Sequence, residues 1–174
     1  MCKIRFGPSG NSESFYADGL KNTEQAAKWL ADKGLDAFEY SFGRGTNMSA
    51  AKAGLIGEKM AEYGVAVSAH APYYINLANP DPTMIEKSFG YILNTAEKVR
   101  MMGGDRIIFH PASVGKDGDR QSALARTHEN MRRLAEEIVR TGNDDLIFCP
   151  ETMGKIDQIG DFRQGAELCG TAEV

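Results

Sequence analysis

Short apolar segments rich in β-branched and aromatic residues alternate along this chain with longer segments of helical periodicity. In the helical segments apolar residues recur at spacings of three and four, as at Ile85, Phe89 and Ile92. Strands that alternate with helices predict βαβ units and a parallel sheet. The predicted strands cover residues 4–6, 37–42, 65–69, 106–109 and 146–149.

Two architectures fit this alternation, an open doubly wound sheet and a closed (β/α) barrel. No GxGxxG or GxxxxGK[ST] motif follows a predicted strand, so a nucleotide-binding open sheet loses its main support. A complete barrel needs eight strand–helix units and typically about 250 residues. With 174 residues, we expect residues 1–174 to form a single α/β domain. It would be an incomplete TIM-type (β/α) barrel of about five of the eight units.

The composition is that of an ordinary globular protein, with 42% hydrophobic and 25% charged residues. No apolar segment is long enough to cross a bilayer, and the N-terminal sequence lacks the apolar stretch of a signal peptide. The three cysteines are scattered, without a CxxC pair, which favours a reducing compartment. We therefore expect a cytoplasmic protein without a membrane partner. The net charge of −4 argues mildly against a nucleic-acid substrate, because phosphate binding usually requires a basic surface.

Three potential metal ligands occupy equivalent places at the ends of successive predicted strands. His70 and His110 each end an apolar segment, and Glu151 ends the next one, at separations of 40 and 41 residues. The C-terminal ends of parallel strands meet on one face of a barrel, where barrel active sites lie. A single histidine at such a position is more often a hydrogen-bonded structural residue. Two histidines and a glutamate in register favour a metal site instead.

Two imidazoles and a carboxylate are the usual protein ligands of a catalytic zinc ion, which keeps one position open for water. Manganese or iron would also accept this set, so the residues alone do not fix the metal. The third histidine, His128, lies in a polar helical segment. We interpret it as a solvated surface residue.

Two residues in the predicted loops are candidates for contact with a substrate. Tyr73 follows His70 closely, and its ring could stack on a base or sugar or pack on the rim of the barrel. Arg44 lies between Gly43 and Gly45 after the second strand. It could contact a phosphate, or it could be a solvated loop residue.

Residues 68–77, 109–113 and 149–154 together resemble endonuclease IV, a family of metal-dependent apurinic/apyrimidinic endonucleases among the xylose-isomerase-like TIM barrels. The resemblance covers essentially the whole chain. It implies that His70 and His110 bind one zinc ion, and that Glu151 bridges this ion to a second one and takes part in catalysis. It also implies that Tyr73 enters damaged duplex DNA and that Arg44 helps to open it. The implied reaction is hydrolysis of the phosphodiester 5′ to an abasic site by a metal-activated water.

The chain departs from the family pattern in two respects. Ala71 and Pro72 replace a more polar pair that often follows the first histidine in bacterial members. The later ligands of the family, from strands six to eight, have no counterpart here. We therefore expect a fragment of a longer polypeptide or a chain that associates with itself, with residues 146–148 on an exposed sheet edge.

Two other functions stay open at this point. A metal-dependent sugar isomerase or epimerase on the same barrel would use one divalent metal and proton transfer, and the acidic charge balance slightly favours it. In the second alternative the truncated chain is inactive and only folds or associates.

Overall fold

A computed structural model describes residues 4–115 and 118–171, for Thr171 the backbone only. The helices are α1 (Glu13–Ala17), α2 (Ala26–Asp32), α3 (Ala50–Glu62), α4 (Pro82–Met101), α5 (Arg120–Arg140) and α6 (Phe162–Thr171). The strands are β1 (Ala37–Ser41), β2 (Ala66–His70), β3 (Arg106–Phe109), β4 (Ala112–Ser113), β5 (Ile147–Pro150) and β6 (Gln158–Ile159). A 3-10 turn, Thr23–Gln25, precedes α2.

Strands β1, β2, β3 and β5 form one parallel sheet in that order. A helix follows each of the first three and returns the chain to the start of the next strand. The predicted α/β order is therefore correct, and four of the five predicted strands lie within one residue of their expected bounds. In the described residues β5 has β3 as its only neighbour in this sheet, so β5 forms an edge, as expected.

The prediction of a strand at residues 4–6 was wrong. The amide of Phe6 donates to the side chain of Asp36, and the carbonyl of Phe6 accepts from the Asp36 amide at 3.0 Å. The Phe6 carbonyl also accepts from the amide of Ala37, the first residue of β1, at 3.1 Å. The Phe6 amide, however, bonds to a side chain, so no regular ladder forms here. Regular pairing with β1 is limited to one parallel bridge between Ser9 and Glu39.

The helix ends follow from local sequence signals. Asp81 caps α4 by accepting from the Thr83 amide at 2.8 Å, with Pro82 at the first helical position. Asp119 caps α5 in the same way, accepting from the Ser122 amide. Glycines with positive φ follow the helices, as Gly34 does after α2 with a φ of 74°.

The core lies between the sheet and the helices. In β2 and β3 the alternate residues Val67, Ala69, Ile107 and Phe109 are buried. The predicted apolar face of α4 is also buried, since all of its members are at most 5% exposed: Ile85, Phe89, Ile92, Ala96 and Val99. By alternation, Ser68 and His70 lie on the opposite face of the sheet, so β2 brings polar side chains to that face. Within the described ranges no helix combines the length and apolar character that a membrane span requires.

Candidate metal centre

The sheet brings the three predicted ligands to the C-terminal ends of its strands, on the face that carries Ser68 and His70. His70 is the last residue of β2, whereas His110 and Glu151 directly follow β3 and β5. His70 pairs with Ile108, and Ile108 pairs with Cys149. His110 and Glu151 thus lie two residues, one pleat, beyond the level of His70. Because side-chain direction alternates along a strand, this offset keeps all three side chains on the same face.

The ligand atoms of His70, His110 and Glu151 all lie within 4.8 Å of one another. Oε2 of Glu151 is 2.9 Å from Nε2 of His70 and 3.1 Å from Nε2 of His110. The two imidazole rings meet edge to face, with their centroids 5.0 Å apart. His70 is 7% exposed, and Glu151 is half-buried. The cluster therefore opens to solvent on the side of the carboxylate.

The hydrogen bonds of His70 determine its tautomer. Nδ1 lies 2.8 Å from the carbonyl oxygen of Ala71, and a carbonyl oxygen can only accept. Nδ1 therefore carries a proton, and neutral His70 presents the lone pair of Nε2 to the Glu151 carboxylate. A lone pair and a carboxylate oxygen at 2.9 Å repel unless a proton or a cation lies between them. Histidines that bind metals commonly donate their second N–H to a backbone carbonyl in this way, so the residues fit a divalent metal.

The environment of His110 also favours the form that binds metals. Burial lowers the pKa of His110, Glu151 acts in the opposite direction, and the neighbouring His70 lowers the pKa again. A lowered pKa keeps the imidazole neutral to lower pH. Only the neutral ring can act as a metal ligand.

Tyr73 lies beside this cluster although its own side chain is 58% exposed. Its ring centroid is 5.5 Å from that of His70 and 5.3 Å from that of His110. The amide of Tyr73 donates to the carbonyl of Gly43 at 3.1 Å, which places the loop of Arg44 next to the loop of Tyr73. Arg44 is exposed. The structure therefore brings Tyr73 to the cluster and Arg44 to the adjoining loop.

Sequence reasoning missed the contacts that join the loops after β2, β3 and β5. The side chain of Asn76 bonds to the backbone and side chain of Ser113. Strands β4 and β6 then pair antiparallel, so Ser113 lies opposite Gln158. Two-residue strands carry no periodicity, and only the polar Asn76 within an otherwise apolar segment hinted at a specific role.

Comparisons with known proteins place the chain in a family. The family described as xylose isomerase-like TIM barrel matches residues 27–173. A probable endonuclease 4 of Mycoplasmoides gallisepticum is 32% identical over 125 residues, which are 71% of this chain and 36% of that protein. This finding confirms the resemblance to endonuclease IV.

Two solved structures share the fold. The crystal structure of D-psicose 3-epimerase from Clostridium cellulolyticum has a TM-score of 0.71 and 14% identity, covering 88% of this chain and 55% of that one. Endonuclease IV from Thermus thermophilus has a TM-score of 0.59 and 20% identity, covering 90% and 55%. At such identities the likeness concerns the fold alone.

The chain spans 51% and 36% of the length of two curated relatives that it matches. This agrees with an incomplete barrel, since a parallel sheet of four strands is about half of eight. The family match nevertheless covers most of the chain. The chain therefore belongs to the xylose isomerase-like TIM barrel family.

Proposed function

We propose that this chain supplies part of the catalytic centre of a zinc-dependent phosphodiesterase that cleaves DNA at abasic sites. The observation that carries the proposal is the convergence of His70, His110 and Glu151, whose ligand atoms lie within 4.8 Å of one another. In its neutral form His70 turns the lone pair of Nε2 toward a carboxylate oxygen, and a cation between them would remove the repulsion. The similarity to a probable endonuclease 4 supports hydrolysis of DNA as the reaction.

The roles of the residues follow from their chemistry. His70 and His110 would bind the metal through Nε2, and Glu151 would bind it through a carboxylate oxygen. A bound zinc ion would supply Lewis-acid activation of water and of a phosphoryl oxygen at neutral pH. Manganese and iron suit the same ligands. Glu151, half-buried at the mouth of the cluster, is the ligand best placed to remain close to a substrate.

The surroundings of the cluster suit a nucleic-acid substrate. The exposed ring of Tyr73 offers a face on which a base or a deoxyribose can pack beside the metal ligands. Arg44, exposed in the adjoining loop, can contact a backbone phosphate and hold the duplex in place. Both residues are proposed as DNA-binding residues on these grounds.

A sugar epimerase is the second candidate, and one observation favours it. The net charge of −4 suits a sugar better than a polyanion, because proteins that bind nucleic-acid phosphates usually present a basic surface. In this alternative the same three residues would hold one divalent metal, and the reaction would be proton transfer beside a carbonyl group. The exposed Tyr73 would then pack on a sugar instead of on DNA.

One set of assays separates the candidates. The purified chain, supplied with zinc or manganese, is incubated with a labelled duplex that contains a tetrahydrofuran abasic analogue, and with D-psicose in parallel. We expect cleavage of the abasic duplex that a strong chelator abolishes, no cleavage of intact duplex, and no epimerised sugar. Epimerisation without cleavage would establish the second candidate. If the folded chain shows neither activity, the inactive alternative holds for this chain.

Matched variants link the activity to the cluster. Glu151→Gln keeps the size of the side chain but removes its charge, so it should abolish cleavage. His128→Gln removes a histidine of α5 that is not a member of the cluster, and it should leave cleavage unchanged. Full activity of Glu151→Gln would contradict the proposed centre.

A further inference from the structure

We propose that Asn76 is a positioning residue for this metal centre, because its carboxamide joins the loop of Tyr73 to the loop of His110. The inference rests on the metal site proposed above. The hydrogen bonds of its amide and carboxamide go to Ser88, Ala78 and Ser113 rather than to His70, His110 or Glu151. Its proposed role is to hold His110 and Tyr73 at the spacing that the cluster requires.

The carboxamide of Asn76 uses its acceptor and its donor at the same time. Oδ1 accepts from the amides of Ala78 and Ser113, both at 3.0 Å. Nδ2 donates to Oγ of Ser113 at 3.2 Å. Beside it, the amide of Leu77 donates to the carbonyl of Pro111, the residue after His110, at 3.0 Å. The two loops are thus joined by three hydrogen bonds within a few residues of both histidines.

The backbone around Asn76 is held by hydrogen bonds to α4 and α5. Its amide donates to Oγ of Ser88 at 3.2 Å, and that hydroxyl donates to the carbonyl of Met84. Ser88 is 2% exposed and belongs to α4. On the next residue, the carbonyl of Leu77 accepts from the buried side chain of Asn130 on α5. The carboxamide of Asn76 therefore projects from a fixed backbone, so it can transmit a fixed position to Ser113.

The connection continues from Ser113 to the segment of the third ligand. Ser113 lies opposite Gln158 in the β4–β6 pair. The chain between Glu151 and β6 is folded back by a bond from the Met153 amide to the Gly160 carbonyl, at 2.7 Å. The segments after β2, β3 and β5 are therefore linked one to the next beyond the ends of the strands that carry the three ligands. Backbone bonds between the strands reach Glu151, whose amide donates to the Phe109 carbonyl at 2.9 Å, and the links described here hold the loops beyond that point.

Substitutions at Asn76 remove different numbers of these bonds. An alanine would lose all three, whereas an aspartate would keep both acceptor contacts and could also accept from the Ser113 hydroxyl. Groups that orient metal ligands typically contribute 10–100-fold to metal affinity. We therefore expect Asn76→Ala to weaken metal binding by about 10-fold or more. Ser113→Ala, which removes only the Nδ2–Oγ bond, should weaken it less.

The test is titration with cobalt(II) alone, followed by its d–d absorption bands, well below the melting temperature of every variant. The control is Thr95→Ala, which removes a fully buried hydroxyl that bonds to the Tyr91 carbonyl within α4. It should lower stability without changing cobalt affinity or the band positions. If Asn76→Ala behaves like this control, with lower stability and unchanged affinity, Asn76 has a structural role only and the proposal is overturned.

A second readout needs no metal. The chain has three histidines, so three imidazole Cε1–H signals can be assigned in proton NMR spectra from single variants. At constant pH, Asn76→Ala should shift the signals of His70 and His110, because the Tyr73 ring beside them moves. Thr95→Ala should leave both signals unchanged. If the wild-type chain binds no cobalt, the metal site fails; these shifts then still decide whether Asn76 positions the rings, and unshifted signals overturn that.

Discussion

Nε2 of His70 lies 2.9 Å from Oε2 of Glu151, although 81 residues separate the two along the chain. The carbonyl of Ala71 holds the proton of His70 on Nδ1, so neutral His70 offers no proton to the carboxylate. The contact becomes favourable when His70 is protonated or when a cation is bound. The metal ion proposed above would satisfy this contact, and its binding should be linked to folding stability.

We expect zinc to raise the melting temperature of the wild-type chain. A ligand that binds only the folded state at 100 times its Kd stabilises that state by about 2.7 kcal/mol. Differential scanning calorimetry with zinc and with a chelator measures the shift. Glu151→Gln should lose most of it, whereas His128→Gln should retain it. An equal zinc shift in Glu151→Gln would mean that the metal binds elsewhere.

Much of the site could be predicted because it depends on strand ends. His70, His110 and Glu151 each close an apolar segment, and the parallel order of the strands then forces them onto one edge. The alternation of strands and helices was equally readable. These signals are local in the sequence, and the physics that they reflect acts over a few residues.

The remaining features depend on contacts between distant segments. The bond from Phe6 to the Asp36 side chain diverts the first segment from regular pairing, and no pattern within residues 4–6 reveals it. The position of Tyr73 against both imidazoles depends on the bond from its amide to Gly43. The geometry is compatible with both sequence-based interpretations of Tyr73, packing and substrate contact. Its ring packs beside the two imidazoles and is still 58% exposed.

Tyr73 should contribute to DNA binding through its ring. Stacking on a base contributes roughly 1–3 kcal/mol, so Tyr73→Ala should weaken binding to an abasic duplex by about 10-fold, and Tyr73→Phe should bind nearly as wild type. Fluorescence anisotropy with a labelled duplex measures both. Tyr74→Ala is a matched control, because Tyr74 is similarly exposed but packs on Tyr91. Equal losses for Tyr73→Ala and Tyr74→Ala would reject a specific role for Tyr73.

Two glycines of α3 should respond to alanine in opposite directions. A Cβ at Gly57 would lie 2.8 Å from the backbone of Met102, whereas a Cβ at Gly54 would meet nothing within 4 Å. Gly57→Ala forces α3 away from the end of α4 and should cost about 1–3 kcal/mol. Gly54→Ala should stabilise the chain by about 0.5–1 kcal/mol, since glycine is a poor helix former. Urea denaturation measures both, and two changes of the same sign would show that the packing of α3 on α4 differs.

The ion pair between Arg100 and Asp145 should make a small contribution to stability that depends on pH. The guanidinium of Arg100 donates to both carboxylate oxygens at 2.6 Å, and these bonds hold the pKa of Asp145 below its ordinary value of 3.8. A carboxyl group whose pKa is lowered in the folded state stabilises the fold at pH values above its pKa in the unfolded chain. This stabilisation is lost as the pH falls through the pKa of the folded state. Asp145→Asn should melt slightly lower than wild type at pH 7. The difference should shrink as the pH falls below 3.8 and disappear once the pH is well below the lowered pKa of Asp145, and a difference that persists when the carboxyl is fully protonated would exclude a charge effect.

The edge strand β5 should cause the purified chain to associate with itself. Its backbone donors and acceptors on the outer side have no strand partner among the described residues, and Ile147 is 45% exposed there. Leu146 and Phe148 are only half-buried, and beside them lies a cavity of about 620 Å³ lined mainly by apolar residues of α5, β5 and α6. Unpaired sheet edges next to apolar surface are common sites of association between chains.

Sedimentation velocity over a range of concentrations measures this association. We expect the wild-type chain to sediment as a dimer or larger species, and Ile147→Lys to shift the distribution toward the monomer, because a lysine on an edge strand disfavours pairing. Ile156→Lys is the matched control, since Ile156 is 96% exposed but lies in the loop before β6 rather than on the edge. It should leave the distribution unchanged. A wild-type chain that stays monomeric at every concentration would show that the β5 edge and the cavity beside it do not cause association.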